Sequence, residues 1–183
     1  MTDASAPADQ TEVGEAPADQ SETEEAPPDR PEAGGHGADF RMALVSSVTV
    51  DLPNQHPTVL LRELESPRRQ LQFSIGFNDA VVLSHALRRI ETPRPLTHEL
   101  VSDILRGFDI DVVAVRLVGR QGSVYFAELD LRGRTGRSVH ACRPTDGFNL
   151  ALLQSVPAPI LVDARLFEES GDVAPVGSPG SGA

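Results

Sequence analysis

Leu71 to Ile90 reads LQFSIGFNDAVVLSHALRRI, and the fold turns on a change of period inside it. Leu71, Phe73, Ile75 and Phe77 alternate with other residues, the two-residue period of a strand with one buried face. After Gly76 the apolar residues Ala80, Leu83, Ala86, Leu87 and Ile90 recur at helical spacing, with Asn78 or Asp79 available as N-cap. One strand therefore passes directly into one amphipathic helix.

Upstream, apolar side chains fall on even positions from Met42 to Leu52 (Met42, Leu44, Val48, Val50, Leu52), which predicts a half-buried strand ended by Pro53 and Asn54. A second strand is expected at Thr58 to Leu64, with a polar turn at Glu65 to Arg69 before the third. Downstream, Pro93 and Pro95 break the first helix. A second is expected to start at the Thr97 cap, with Leu100, Val101, Ile104, Leu105 and Phe108 on one face and Gly107 marking its end. Ile110 to Val118 is apolar on both faces, as a central strand is. Two further strands, Ser123 to Leu131 and Arg137 to Cys142, flank a turn at Arg132 to Gly136. Pro144 and Thr145 open a third helix, and a short strand at Ile160 to Val162 and a helical turn at Asp163 to Glu169 close the pattern. The order βββααβββαβα predicts a single α+β domain with a mixed, antiparallel-rich sheet.

Residues 1–39 have a different composition: eleven acids, one Arg, many Ala and Pro, and no Ile, Leu, Phe, Tyr or Trp. They repeat every ten residues (APADQTEVGE, APADQSETEE, APPDRPEAGG), without the apolar face that stacking would need. This segment is expected to be a disordered acidic tail, and Gly- and Pro-rich residues 170–183 a flexible one. The domain is then residues 40–169. The formal charge of −11 divides into −10 for residues 1–39, 0 for residues 40–169 and −1 for the rest, so the low pI describes the tail and not the domain. A single Cys142 excludes an internal disulfide. No stretch approaches the roughly 18 apolar residues of a membrane span, and the expected location is the cytoplasm. All sixteen basic residues are Arg, which excludes any lysine-dependent chemistry.

Several segments together resemble the bifunctional nuclease (BFN) domain family, over roughly Arg41 to Glu169. Ile75-Gly76-Phe77-Asn78-Asp79-Ala80 is similar to its I-G-x-x-E-A passage, and Pro93-Arg94-Pro95-Leu96-Thr97-His98-Glu99-Leu100 matches P-R-P-L-T-H-[DE]-L throughout. Tyr125 to Leu129, Arg143-Pro144-Thr145-Asp146 and Ala158-Pro159-Ile160 are similar to three further motifs. Ala141 and Cys142 replace the D-S or D-A that many members carry before R-P-S-D, as in a divergent bacterial, actinobacterial member. The resemblance implies hydrolysis of phosphodiester bonds in DNA or RNA.

Such hydrolysis commonly uses carboxylates holding Mg²⁺ or Mn²⁺. Asp79, Glu99 and Asp146 stand at expected helix starts and are the candidate catalytic and metal-binding acids. His98 is the candidate acid/base because it titrates near neutrality. Arg94, Arg143, Thr97 and Thr145 are the candidate substrate-binding residues, since helix starts and guanidinium groups bind phosphate. The same residues also suit plain scaffolding: Pro and Thr open helices, and an acid in the first turn complements the helix dipole. His140 and Cys142 share a strand face, but two ligands do not make a zinc site. Arg132, Arg134 and Arg137 form a basic hairpin that offers contacts to nucleic acid. Two functions follow as expectations: a metal-assisted nuclease, or a non-catalytic binding or regulatory module in which the Arg and acid residues form a structural network. A small homo-oligomer is expected from strands left at a sheet edge.

Overall fold

The computed structural model describes residues 39–51 and 56–169; the expected tails and the Pro53-Asn54 strand end lie outside the described residues. The elements follow the predicted order: β1 (Phe40–Asp51), β2 (His56–Glu63), β3 (Gln70–Ser74), α1 (Phe77–Arg88), α2 (Thr97–Gly107), β4 (Asp111–Gln121), β5 (Val124–Gly133), β6 (Gly136–Cys142), α3 (Pro144–Leu152), β7 (Ile160–Asp163) and α4 (Ala164–Glu169). They build a seven-stranded sheet in the order β3-β2-β1-β7-β4-β5-β6. All neighbours are antiparallel except β4 and β7. The fold is the mixed, antiparallel-rich α+β domain that the strand and helix periods predict.

Two meanders, β3-β2-β1 and β4-β5-β6, are joined by β7. Ile160 pairs with Ala43 on one side and Val115 on the other, and all three side chains are buried. α3 covers β4 and β5 and packs against α1 and α2, while α1 packs on β1 and β2. Phe148 of α3 is fully buried. Gly147 permits this seating, because a Cβ there would lie 2.7 Å from Cγ1 of the fully buried Val115.

One expectation about packing needs correction, and one expected apolar face stands largely uncovered. In β1, Ala43 and Val45 are buried, while Met42 and Leu44 are 45% and 55% exposed. A bulge between Val45 and Ser47 changes the phase, so that beyond it the even residues Val48 and Val50 pair with Val59 and Pro57; Val48 packs partly against the core, while Val50 is 48% exposed. In α2, Leu100, Ile104 and Phe108 are 49%, 49% and 70% exposed, and Ser102 is the buried residue. The helix meets the rest of the domain mainly through α3, so most of its apolar face has nothing above it.

Candidate functional site

The candidate residues gather where three helices begin. Gly76 is the N-cap of α1 and has no side-chain cap bond, and Asp79 stands in the first turn. Asp79 folds back over that start, since its Oδ2 lies 3.3 Å from where a Gly76 Cβ would be. Gly76, not Asn78 or Asp79, therefore caps α1. α3 begins with Arg143 as N-cap and Pro144 in its first turn, where a missing N–H costs nothing. Thr145 and Asp146 follow inside the helix, and Thr145 does not act as the cap.

Arg143 joins the two starts. It donates from Nε to Asp146 Oδ2 and from Nη2 to Asp146 Oδ1, both at 2.9 Å, and from Nη1 to Asp79 Oδ2 at 3.4 Å. His98 Nε2 lies 3.0 Å from Asp146 Oδ1, which ties α2 to the same carboxylate. Burial pushes the Asp146 carboxyl up, but hydrogen bonds from Arg143 and His98 outweigh it and hold the group below its ordinary range. Asp146 pairing raises the Arg143 guanidinium, whose side chain is nevertheless 64% exposed. Asp79, Arg143 and Asp146 together carry one net negative formal charge.

Asp79, Arg143 and Thr145 line an open cavity of about 230 Å³. The rest of its lining includes residues that sequence reasoning did not select as site residues, among them Phe73, Val124 and Tyr125. Phe73 in β3 and Tyr125 in β5 are far apart in the sheet order, yet their rings stack with centroids 4.3 Å apart. Only the curl of the sheet brings them together. No local pattern signals this, since each aromatic reads simply as a strand residue.

Other candidates are placed elsewhere. Glu99 Oε2 accepts the Leu96 backbone N–H at 2.7 Å and lies 2.9 Å from Thr92 Oγ1, which closes the start of α2. Thr97 is the first residue of that helix, with Leu96 as its cap. His98 and Glu99 line a separate small cavity with His85 and Asn149. Arg94 is exposed and forms no ion pair among the described residues. The basic hairpin is neutralised, with Arg132 on Asp111, Arg134 on Asp109 and Arg137 on the buried Asp130. His140 is exposed and lies 3.0 Å from Ser138 Oγ. Burial, with Asp146 nearby, pushes the Cys142 thiol up to about 11, which keeps it protonated. Among the described residues no group of three or more His, Cys, Asp or Glu side chains is placed to hold a metal ion. None of their helices is long and apolar enough to cross a membrane.

Comparison with known proteins adds a family. The chain matches the model of the bifunctional nuclease domain over residues 59–174. It is 30% identical over 132 residues to the uncharacterized protein Rv1829 of Mycobacterium tuberculosis strain H37Rv, covering 72% of this chain and 76% of the relative. The same figures hold for the uncharacterized protein MT1877 of strain CDC 1551.

Proposed function

Because this chain belongs to the bifunctional nuclease domain family, we propose that it is a cytoplasmic nuclease that hydrolyses phosphodiester bonds of DNA or RNA at the open cavity between the starts of α1 and α3. The observation that carries this reading is the meeting of Asp79, Arg143 and Thr145 on one cavity wall, from distant parts of the chain. Arg143 is exposed enough to reach a phosphate and supplies positive charge where charge develops on oxygen. Asp79 is the acceptor for the proton of an attacking water. Asp146, held by His98, fixes the guanidinium. Arg94 and Thr97 are exposed around the start of α2, whose His98 contacts Asp146, and are further phosphate contacts in the same reading.

Asp79 and Asp146 are hard oxygen donors of the kind Mg²⁺ and Mn²⁺ accept. Arg143 already joins them, however, and Glu99 is engaged at its own helix start. The residues as placed do not fit a divalent cation, so charge stabilisation falls to Arg143. A metal requirement would mean that the guanidinium leaves the two carboxylates.

The test is cleavage of labelled single- and double-stranded DNA and RNA, with Mg²⁺, Mn²⁺ or EDTA. Purified wild type is compared with the folded variants Asp79→Asn, Arg143→Gln and Glu99→Ala. Loss in the first two and retention in the third supports the site. Equal cleavage by all variants overturns it. Absence of cleavage favours the second reading, a binding module, for which the Asp79–Arg143–Asp146 ion-pair network is the motivating observation. The expected homo-oligomer belongs to this reading too, with the exposed apolar row of α2 as its candidate surface.

A further inference from the structure

We propose that the cavity takes one unpaired nucleotide, with its base against the Phe73–Tyr125 wall and its phosphate on Arg143. This rests on reading the cavity as a nucleic-acid site. The volume of about 230 Å³ lies below the roughly 300–1,000 Å³ of pockets for drug-sized ligands, and so suits one base-sized group. A base inside a duplex is stacked and paired and cannot enter unless it is extruded. A single strand presents it at no such cost.

The wall chemistry matches the two halves of a nucleotide. Phe73 and Tyr125 are half-buried and mutually stacked, and Val124 also lines the cavity, so the ring surface outside the stack is an apolar platform for the π-face of any base. Arg143 has five N–H donors. Three are spent on Asp146 and Asp79, and the remainder are free for phosphate oxygens on an exposed side chain. Arg120, paired with Glu169 at 3.5 Å and 35% exposed, stands 5.8 Å from the Tyr125 ring centroid as a second cation beside the aromatic wall. Asp79, in the lining of the same cavity, discourages a bare anion but accepts hydrogen bonds from the amino groups of a base. The pairing of one aromatic wall, one reachable cation and one acceptor selects a nucleotide over inorganic phosphate.

A strand and a free mononucleotide share this chemistry, so the experiment includes both. Anisotropy would be measured on the full chain with labelled phosphorothioate single strands and the matching duplex, and with a nucleoside monophosphate as competitor. Single strands should bind at least about 5-fold tighter than duplex, since stacking supplies roughly 1–3 kcal/mol per base. Tyr125→Leu and Val124→Glu should each weaken single-strand binding about 5- to 100-fold. Val124 is 58% exposed, so its variant keeps the fold even if Tyr125→Leu does not. Arg143→Gln should lower the salt slope by about 0.7, the loss of one phosphate contact on a single strand. Competition by the monophosphate identifies the free nucleotide as a ligand, and its failure restricts the site to strands; either supports the pocket. Equal affinity for duplex, no binding, or indifference to the variants overturns it. Binding without cleavage would sink the nuclease and leave the pocket, whereas cleavage unchanged in Tyr125→Leu and Val124→Glu would do the reverse.

Discussion

Gly147 sets how closely α3 can lie on β4. Alanine would gain about 1 kcal/mol of helix propensity, but its Cβ would press on buried Val115, at about 1–3 kcal/mol for overpacking. Gly147→Ala is therefore expected to lower stability by about 1 kcal/mol, read by urea denaturation; a more stable variant would show that Val115 yields. Glu99 presents a different case. A carboxylate in a P-R-P-L-T-H-E-L motif reads equally as catalytic or structural, and its contacts in the fold are those of a helix start. Glu99→Ala should cost roughly 0.3–1.5 kcal/mol, the usual worth of such a cap, and on the proposed function should leave cleavage at Arg143 and Asp79 in place.

At the scale of elements, periods located the strands and helices but not always the covered face. The β1 alternation is genuine, and one bulge reverses which half of it faces inward. The α2 face is genuine too, yet periodicity does not say whether a neighbour covers it. Replacing Leu100 and Ile104 by Ser should change stability little, because both are already about half exposed. If α2 is the self-association surface, the double variant should sediment at a lower mass than wild type at equal concentration. An unchanged mass would remove α2 from that role.

Across the whole molecule, buried acids are held by arginines, in keeping with a domain that has no lysine. Glu63 is lowered by its hydrogen bonds from Arg69, Asp130 by Arg137, and Asp163 by Arg165. Asp146 is lowered as well, against the upward push of its burial. Depressed carboxyls stabilise the fold fully above their unfolded values of about 4, and that contribution is lost as pH falls through the lower folded values. Stability should accordingly be level near neutrality and decline below roughly pH 4, with a shallower acid limb in Asp130→Asn. Denaturation midpoints against pH measure this; a decline already at neutral pH would contradict it. For the acidic N-terminal segment the proposed nucleic-acid function gives a separate prediction. Removing residues 1–38, most of a stretch with formal charge −10 over 1–39, should tighten nucleic-acid binding at low salt and less so at high salt.

The sequence alone determined the element order, the α+β class and the helix starts at which the candidate site residues stand, because period, proline and glycine act over a few residues. It also determined that Asp146 and Arg143 are neighbours, as three residues along one helix start must be. Tertiary structure decided the rest. That Asp79 meets Arg143 depends on how α1 and α3 pack, and that Phe73 meets Tyr125 depends on sheet curl. Whether the hairpin arginines are free or paired depends on acids contributed by β4, β5 and the α2–β4 turn. These are long-range contacts, set by the packing of the whole core, and no local pattern in the chain encodes them separately.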